Sequence, residues 1–123
     1  MSIEKLPGLV NGDQALVHRG RYFSERFMVE VGARQYLIEA AQGRIASVTP
    51  IRTPLQSWTF AIRAEAETWE RFWQPIPEPG HHDIIALFRY RRMRLEGNLQ
   101  PLLANLLYLK MVLAAPRARE ARP

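Results

Sequence analysis

Residues 91–115, RRMRLEGNLQPLLANLLYLKMVLAA, change from an alternating segment to a leucine-rich one at Gly97-Asn98. Charged and apolar residues alternate between Arg91 and Glu96, which predicts a strand with Met93 and Leu95 facing inward. Glycine is free to adopt the tight turn that ends such a strand, and an asparagine after it is a preferred helix cap. The segment therefore predicts a sheet strand that turns directly into a terminal helix.

The terminal helix is predicted from about Leu99 to Ala115, with Pro101 tolerated in its first turn and Pro116 stopping it. Its apolar side chains cover an arc of roughly 200°, whereas packing on a sheet by one face needs about 100°. A second helix, an oligomer partner or an apolar ligand must cover the rest, and Lys110, near the middle of the arc, must snorkel or meet an anion. The apolar residues of the arc are Leu99, Leu102, Leu103, Leu106, Leu107, Leu109, Met111 and Leu113.

The first half of the chain has the pattern of β-strands. Phe27, Val29 and Val31 share one face of an alternating segment, and Gln42-Gly43 is a typical reversal between two strands. Successive hairpins of this kind predict an antiparallel sheet with one covered face. The predicted strand segments are 14–23, 25–31, 36–41, 44–49 and 58–63.

Two short helices are predicted after these strands. Trp69, Phe72 and Trp73 stand at i, i+3 and i+4, which gives the first helix a heavy aromatic stripe. The proline-rich segment 75–80 forbids regular structure, and Asp83 is a preferred cap for the second helix. That helix has an apolar stripe made of Ile84, Leu87 and Phe88, with Ile85 beside it.

The composition is that of one globular domain, with 123 residues of which 47% are hydrophobic and 24% charged. No cysteine is present, which excludes a disulfide framework, a thiolate zinc site, an iron–sulfur cluster and a cysteine nucleophile. No apolar run approaches the ~18 residues of a spanning helix, and the N-terminus lacks a signal-peptide layout, so a cytoplasmic location is expected. We expect residues 1–116 to form a single domain and residues 117–123 a basic disordered tail.

Few residues indicate catalysis or metal binding. His81-His82-Asp83 is the one cluster of ligand-type side chains in the sequence, and adjacent residues do not share a face as metal ligands require. The serines lie outside any nucleophile-elbow context, and neither paired carboxylates in a cleft-like loop nor a phosphate-cradling glycine-rich loop occurs. The sequence therefore predicts no enzyme, no metal and no cofactor.

Basic residues are in excess: the net charge is +5, and all but two of the 17 Lys and Arg residues are arginines. Such a bias is also typical of GC-rich bacterial genomes. The cluster Arg89-Tyr90-Arg91-Arg92-Met93-Arg94 has two interpretations. It is either a surface for phosphate-bearing ligands, anionic membranes or nucleic acid, or a helix end followed by the solvated face of a strand. Nucleic acid is the least favoured of these partners.

From Trp58 onward the order of elements resembles the sterol carrier protein type 2 family, also called the sterol-binding or non-specific lipid-transfer domain. The matching features are a strand leading into a helix with Trp69, a short helix with Ile85-Ala86-Leu87-Phe88, and a strand closing on Gly97-Asn98 before a leucine-rich helix. The resemblance covers residues 58 to 114, and the ordered set of features carries it.

The resemblance implies an α+β fold in which a mainly antiparallel sheet of five strands, or slightly more, has helices packed on one face. It also implies a hydrophobic tunnel between the layers for a sterol, fatty acid or fatty acyl-CoA. The family usually opens with a long helix, whereas residues 1–13 are too short and too marked by Gly and Pro for one, so the sheet is expected to begin almost at once. Carried over by position, the ligand-binding residues would be Phe60, Ile62, Trp69, Phe72, Trp73, Ile85, Phe88, Leu102, Leu103, Leu106 and Leu109, with Lys110 or the 89–94 cluster meeting a headgroup.

Three functions stay open at this point. The first is a non-catalytic domain that binds and transfers an apolar ligand, with a weak contact to anionic membrane surfaces. The second is a homodimeric interaction module in which the wide leucine face seals against a partner and no ligand enters. The third is a nucleic-acid binder that uses the arginine cluster, which requires an affinity that falls steeply with salt.

Overall fold

The computed structural model describes residues 2–53 and 56–120, and its centre is a five-stranded mixed sheet in the order β3-β2-β1-β4-β5. Three strand pairs are antiparallel, and β1 and β4 are parallel. The parallel pair arises because the chain crosses from β3, at one edge, to the far side of β1. The predicted α+β fold with a mainly antiparallel sheet of five strands is confirmed. The strands are β1 (Arg26–Val31), β2 (Arg34–Ala41), β3 (Arg44–Pro50), β4 (Phe60–Ala64) and β5 (Met93–Gly97).

The helices cover the face of the sheet that carries the alternating apolar residues. Phe27 on β1 lies in register between Ile38 and Phe60 on its two neighbours, and all three side chains are buried. The helical elements are a 3₁₀ turn (Ser2–Lys5), α1 (Leu6–Asn11), α2 (Gln14–Arg19), α3 (Ala66–Phe72), α4 (Ile84–Arg89), α5 (Gln100–Ala104) and α6 (Leu106–Glu120). None of these helices is long and apolar enough to cross a bilayer.

The N-terminal part is helical, so the strand predicted over residues 14–23 and the immediate start of the sheet are both wrong. Ile3, Leu6 and Val10 are fully buried at helical spacing, and α1 contacts both β3 and α6. Asp13 caps α2 by accepting a hydrogen bond from the backbone N–H of Leu16 at 3.1 Å. Helices this short gain their stability from packing and caps rather than from intrinsic propensity.

The C-terminal helix differs from its prediction in the middle and at its end. It is divided at Asn105, whose side-chain amide donates to the carbonyl of Pro101 at 3.0 Å. The backbone carbonyl of Asn105 accepts from the backbone N–H of Leu109 at 3.0 Å. Such a side chain competes with the helical backbone pattern, so α5 ends and α6 begins there.

The helix α6 also continues past Pro116 to Glu120, so the predicted stop is wrong. Arg117 holds this last part: its Nε donates to the carbonyl of Phe72 at 2.8 Å, and its guanidinium lies 4.5 Å from the centre of the Phe72 ring. Burial lowers the pKa of Arg117. The predicted disordered tail is therefore helical over residues 117–120, and residues 121–123 lie outside the described residues.

A buried contact between Tyr108 and the turn that joins β2 and β3 holds α6 against the sheet. The Tyr108 hydroxyl donates to the carbonyl of Gly43 at 2.7 Å. Gly43 has φ +84°, and a Cβ there would lie 2.2 Å from the carbonyl of Val17, so the turn needs glycine. A Cβ at Gly20 would lie 2.2 Å from the Tyr108 ring. This contact fixes α6 over one end of the apolar interior.

Candidate functional site

The interior between the sheet and the helices holds most of the residues that the resemblance assigns to a ligand. Phe60 and Ile62 project from β4, and α5 and α6 contribute Leu102 and Leu109. The aromatic stripe on α3 faces the same interior, as predicted. The buried members of the predicted set are Phe60, Ile62, Trp69, Phe72, Trp73, Leu102 and Leu109.

The rings of α3 pack against one another and are fixed by hydrogen bonds. The Trp69 and Trp73 rings are stacked with centroids 5.1 Å apart, and the Phe72 ring meets Trp69 edge-on at 5.7 Å. The indole N–H of Trp69 donates to the carbonyl of Glu30 at 2.9 Å, and that of Trp73 donates to the carbonyl of Leu113 at 2.8 Å. Buried indoles need such partners, so the ring positions are specified by polar as well as apolar contacts.

The rest of the predicted set lies towards solvent. Ile85 on α4 and Leu106 on α6 are partly buried against the core, whereas Phe88 is 46% exposed and Leu103 60% exposed. Phe88 lies outside the interior because α4 buries Ile84 and Leu87, one turn apart, and Leu103 lies outside because its neighbour Leu102 takes the inward position. Apolar side chains on α4, α5 and α6 thus pass from fully buried to about half-exposed.

An exposed apolar line follows α5 and α6. Leu103, Leu107 and Met111 stand at four-residue intervals, and each is at least 40% exposed. These residues belong to the part of the wide apolar arc that the sheet does not cover. The break at Asn105 separates Leu103, on α5, from the two residues on α6.

Lys110 forms a partly buried ion pair with Asp83. Its ammonium lies 2.9 Å from Asp83 Oδ2, and both side chains are about two-thirds buried. The other carboxylate oxygen of Asp83 accepts from the backbone N–H of Ile85 at 2.9 Å and so caps α4, as predicted. One carboxylate therefore links the start of α4 to the middle of α6.

A polar cavity of about 650 Å³ lies outside the apolar interior, and we call it the arginine cleft. Its walls come from the ends of β1 and β4, the first turns of α3, the loop before α4 and the turn before β5. Its charged and imidazole-bearing residues are Glu30, Arg63, Glu65, Glu67, Arg71, His81, Arg91, Arg92 and Arg94.

Ion pairs organise the sheet side of the arginine cleft. Arg63 lies between two carboxylates, with 2.8 Å to Glu30 and 2.8 Å to Glu96. Burial lowers the pKa of Arg63, but hydrogen bonds and charge from Glu96 and Glu30 more than offset this, so the pKa lies above its usual value. Arg94 lies 4.0 Å from Glu30. These charged side chains lie next to one another because Glu30, Arg63 and Arg94 are paired in register on three adjacent strands.

His81 lies in the wall of the cleft and is only 3% exposed. Its Nε2 lies 3.2 Å from a guanidinium nitrogen of Arg92. A guanidinium can only donate, so Nε2 accepts and the imidazole proton is on Nδ1. That Nδ1–H has no partner among the described residues. The neighbouring His82 is exposed, and in the described ranges no three metal-ligating side chains cluster.

Sequence reasoning did not identify Arg63, Arg71 or His81 as residues of one site. The available signal was weak: Glu30 and Arg63 occupy the polar positions of two predicted strands, but their pairing depends on the parallel register of β1 and β4. A second cleft, of about 480 Å³, lies at the opposite end of β1, between Glu25 and Trp58. Neither cleft is lined by any of the twelve residues of the predicted set.

No family model and no curated protein matches the chain. Solved structures share its fold. A crystal structure of sterol carrier protein 2 superposes with a TM-score of 0.74 at 12% identity, over 94% of this chain and 93% of that one. The sterol carrier protein domain 2 of Helicoverpa armigera gives 0.60 at 14% identity, over 91% and 84%, and the ubiquinone synthesis protein UbiJ-SCP2 gives 0.59 at 16%, over 90% and 91%. The resemblance seen in the sequence is confirmed at the level of the fold.

Proposed function

We propose that this chain is a non-catalytic lipid-binding domain that holds an apolar ligand between its sheet and its helices. The observation that carries the proposal is the gradient of apolar burial, from the rings of α3 through Ile85 and Leu106 to the exposed Leu103 and Phe88. It occurs in a fold shared with sterol carrier protein 2 over 94% of the chain. Each methylene of an acyl chain moved from water into such an interior contributes about 0.8 kcal/mol.

The proposed route to the interior runs between α4 and the pair α5–α6. The helix α4 has six residues and follows a segment with three prolines, Pro75, Pro77 and Pro79. Its start is joined to α6 by the partly buried ion pair of Lys110 and Asp83. Local opening costs less free energy for a short helix of this kind than for the central strands of a sheet. Movement of α4 away from α6 would uncover the interior beside Ile85 and Leu106, and the buried members of the predicted set would then line the ligand.

The charge at this mouth sets the preferred ligand. In the proposal a fatty acid carboxylate takes the place of Asp83 beside Lys110 when α4 moves. The substitution Lys110→Met would leave the Asp83 carboxylate without its cation, and the remaining negative charge would repel a fatty acid. We therefore expect Lys110→Met to weaken fatty acid binding at least several-fold and to leave binding of a neutral sterol unchanged. Equal loss of both ligands would contradict this role.

The proposal is tested by the uptake of two fluorescent probes, cis-parinaric acid and the neutral sterol dehydroergosterol. The variant Leu106→Trp fills the proposed mouth, and Ile76→Trp, at a position 88% exposed in the proline-rich segment, is its matched control. We expect saturable uptake of at least one probe by the wild type and by Ile76→Trp, and roughly ten-fold weaker uptake by Leu106→Trp. Thermal unfolding of each variant shows that it is folded. Absence of uptake by the folded wild type would contradict the proposal.

A second candidate function is the homodimeric interaction module, favoured by the exposed line of Leu103, Leu107 and Met111. The same line would serve a weak contact with an anionic membrane during lipid transfer. Sedimentation at low micromolar concentration separates the two: a dimer that Leu107→Glu converts to a monomer supports the module. A strict monomer that floats with anionic vesicles, and loses this with Leu107→Glu, supports the membrane contact.

A further inference from the structure

We propose that the arginine cleft is a binding site for a phosphate group, separate from the apolar interior. The site does not depend on the proposed lipid function, since neither the apolar residues nor Lys110, to which that proposal assigns the lipid, line the cleft. Arg91, Arg92 and Arg94 of the cleft belong to the 89–94 cluster, for which the sequence leaves a lipid headgroup or another phosphate-bearing ligand open. Its volume of about 650 Å³ lies within the range of small-molecule binding sites.

The first argument is the distribution of charge among the lining residues. Arg63 is neutralised by Glu30 and Glu96, and Arg71 lies 2.7 Å from Glu67 and 3.6 Å from Glu78. In contrast, Arg91 and Arg92 have no carboxylate within 4 Å among the described side chains, although both line the cleft. Guanidinium groups recognise phosphate by paired N–H···O bonds and are only weakly hydrated.

The second argument is the way Arg92 is held. His81 accepts a hydrogen bond from its guanidinium at 3.2 Å, which limits where that group points. Because Nε2 of the buried His81 accepts from Arg92, its imidazole proton is on Nδ1. This Nδ1–H has no partner among the described residues. Buried donors are normally paired, and an unpaired one costs free energy. His81 is thus a positioning residue for Arg92.

The third argument is where the positive charge of the cleft lies. Glutamates are paired with Arg63 and Arg71, whereas the neighbouring Arg91 and Arg92 have no such partner among the described side chains. A phosphate monoester carries about −1.5 to −2 near pH 7, which two guanidinium charges match. Among the carboxylates that line the cleft, Glu65 has no ion-pair partner in the described residues. Its negative charge would repel a bound anion. Removal of its charge is therefore expected to strengthen binding.

The experiment is a titration of the full chain with inorganic phosphate, followed by NMR shifts and calorimetry at low ionic strength. The variant Arg92→Gln removes an unmatched charge of the cleft, and Arg89→Gln, on the exposed end of α4 and outside the cleft, is its matched control. We expect Arg92→Gln to weaken phosphate binding roughly ten-fold or more, because hydrogen bonds between charged groups are lost. Arg89→Gln is expected to leave it unchanged, and Glu65→Gln to strengthen it.

Two further arms identify the source of the phosphate. Glycerol 3-phosphate represents a soluble ester, and phosphatidylcholine vesicles containing phosphatidic acid represent a lipid headgroup. If one of these two probes binds, and its binding is weakened by Arg92→Gln but not by Arg89→Gln, the site is supported and the probe shows the source of the phosphate. Equal effects of these two variants, or no phosphate binding by the wild type, would overturn the proposal. Uptake of the fatty acid and sterol probes is expected to be the same in Arg92→Gln as in the wild type, so the two proposals fail separately.

Discussion

Replacement of Tyr108 by phenylalanine tests the contact that seats α6 on the sheet. The hydroxyl of Tyr108 donates to the Gly43 carbonyl at 2.7 Å, and the residue is 2% exposed. A buried hydrogen bond of this kind has a net contribution of about 1 kcal/mol, and the carbonyl loses its partner in the variant. We therefore expect Tyr108→Phe to lower the free energy of unfolding by about 1 kcal/mol near pH 8.

The same substitution has a pH dependence of known sign. Burial raises the pKa of Tyr108 to about 12, from an ordinary value of 10. The folded state binds the phenolic proton more tightly, so this stabilisation is complete below pH 10 and is lost as the pH rises from 10 to 12. The full difference corresponds to about 2.7 kcal/mol, and about half of it is lost at pH 11. The advantage of the wild type over Tyr108→Phe is therefore expected to vanish near pH 11.

Urea unfolding of both proteins from pH 8 to pH 11 measures this difference directly. Other titrating groups are common to the two proteins, so their contributions cancel in the comparison. A constant difference between wild type and variant across this range would show that the Tyr108 hydroxyl is not buried against Gly43. Such a result would refute the proposed position of α6.

Two further substitutions test the packing around the interior, each by urea unfolding. Gly43→Ala combines a positive φ with a Cβ 2.2 Å from the Val17 carbonyl, so we expect a loss of more than about 2 kcal/mol. Gly80→Ala is its control, since Gly80 has φ +90° but nothing within 4 Å of a Cβ, and similar losses in both would exclude the close approach. Arg117→Met removes the contacts with Phe72 and should cost about 1–3 kcal/mol, against less than about 0.5 for Arg89→Met. A loss for Arg117→Met no larger than that of the control would argue against the docking of residues 117–120.

The strands could be predicted because apolar residues recur at every second position on the face that the helices cover, although Met28, Leu37 and Ala61 on the other face are buried as well. Alternation over 27–31 and 36–40 is required when every second residue points into an apolar interior, and the turn at Gln42-Gly43 has positive φ at both positions. The parallel pairing of β1 with β4 carries no comparable signal in the sequence. It depends on where the chain crosses the sheet after β3, which local pattern does not determine.

The N-terminal helices could not be predicted from residues 1–19 alone. Their apolar residues Ile3, Leu6 and Val10 are few, and Pro7 and Gly8 interrupt the pattern. These helices form because α6 and β3 offer a surface on which to bury them. Asn11 adds a contact of the same kind, since its side-chain amide exchanges two hydrogen bonds with the backbone of Ile45 at 2.8 and 2.9 Å.

The apolar interior and the arginine cleft also differ in how far the sequence predicts them. Part of the apolar interior could be predicted, because a helix stripe such as Trp69, Phe72 and Trp73 is visible in the sequence and faces the core. Phe88 and Leu103, predicted with them, lie towards solvent, since local pattern does not determine which neighbour on a short helix turns inward. The basic cluster that contributes Arg91, Arg92 and Arg94 to the arginine cleft is visible in the sequence. The cleft itself could not be predicted, because Arg63 and Arg92 come together only through the register of the sheet and the turn before β5. Local periodicity identifies faces, whereas a cleft between elements depends on tertiary contacts.

The central claim, a lipid held between sheet and helices, is tested most directly by native mass spectrometry of the freshly purified protein, followed by organic extraction. The proposal predicts a discrete adduct that is released as one lipid class, or its formation after addition of a fatty acid or a sterol. A clean ligand-free protein that takes up neither compound would contradict it.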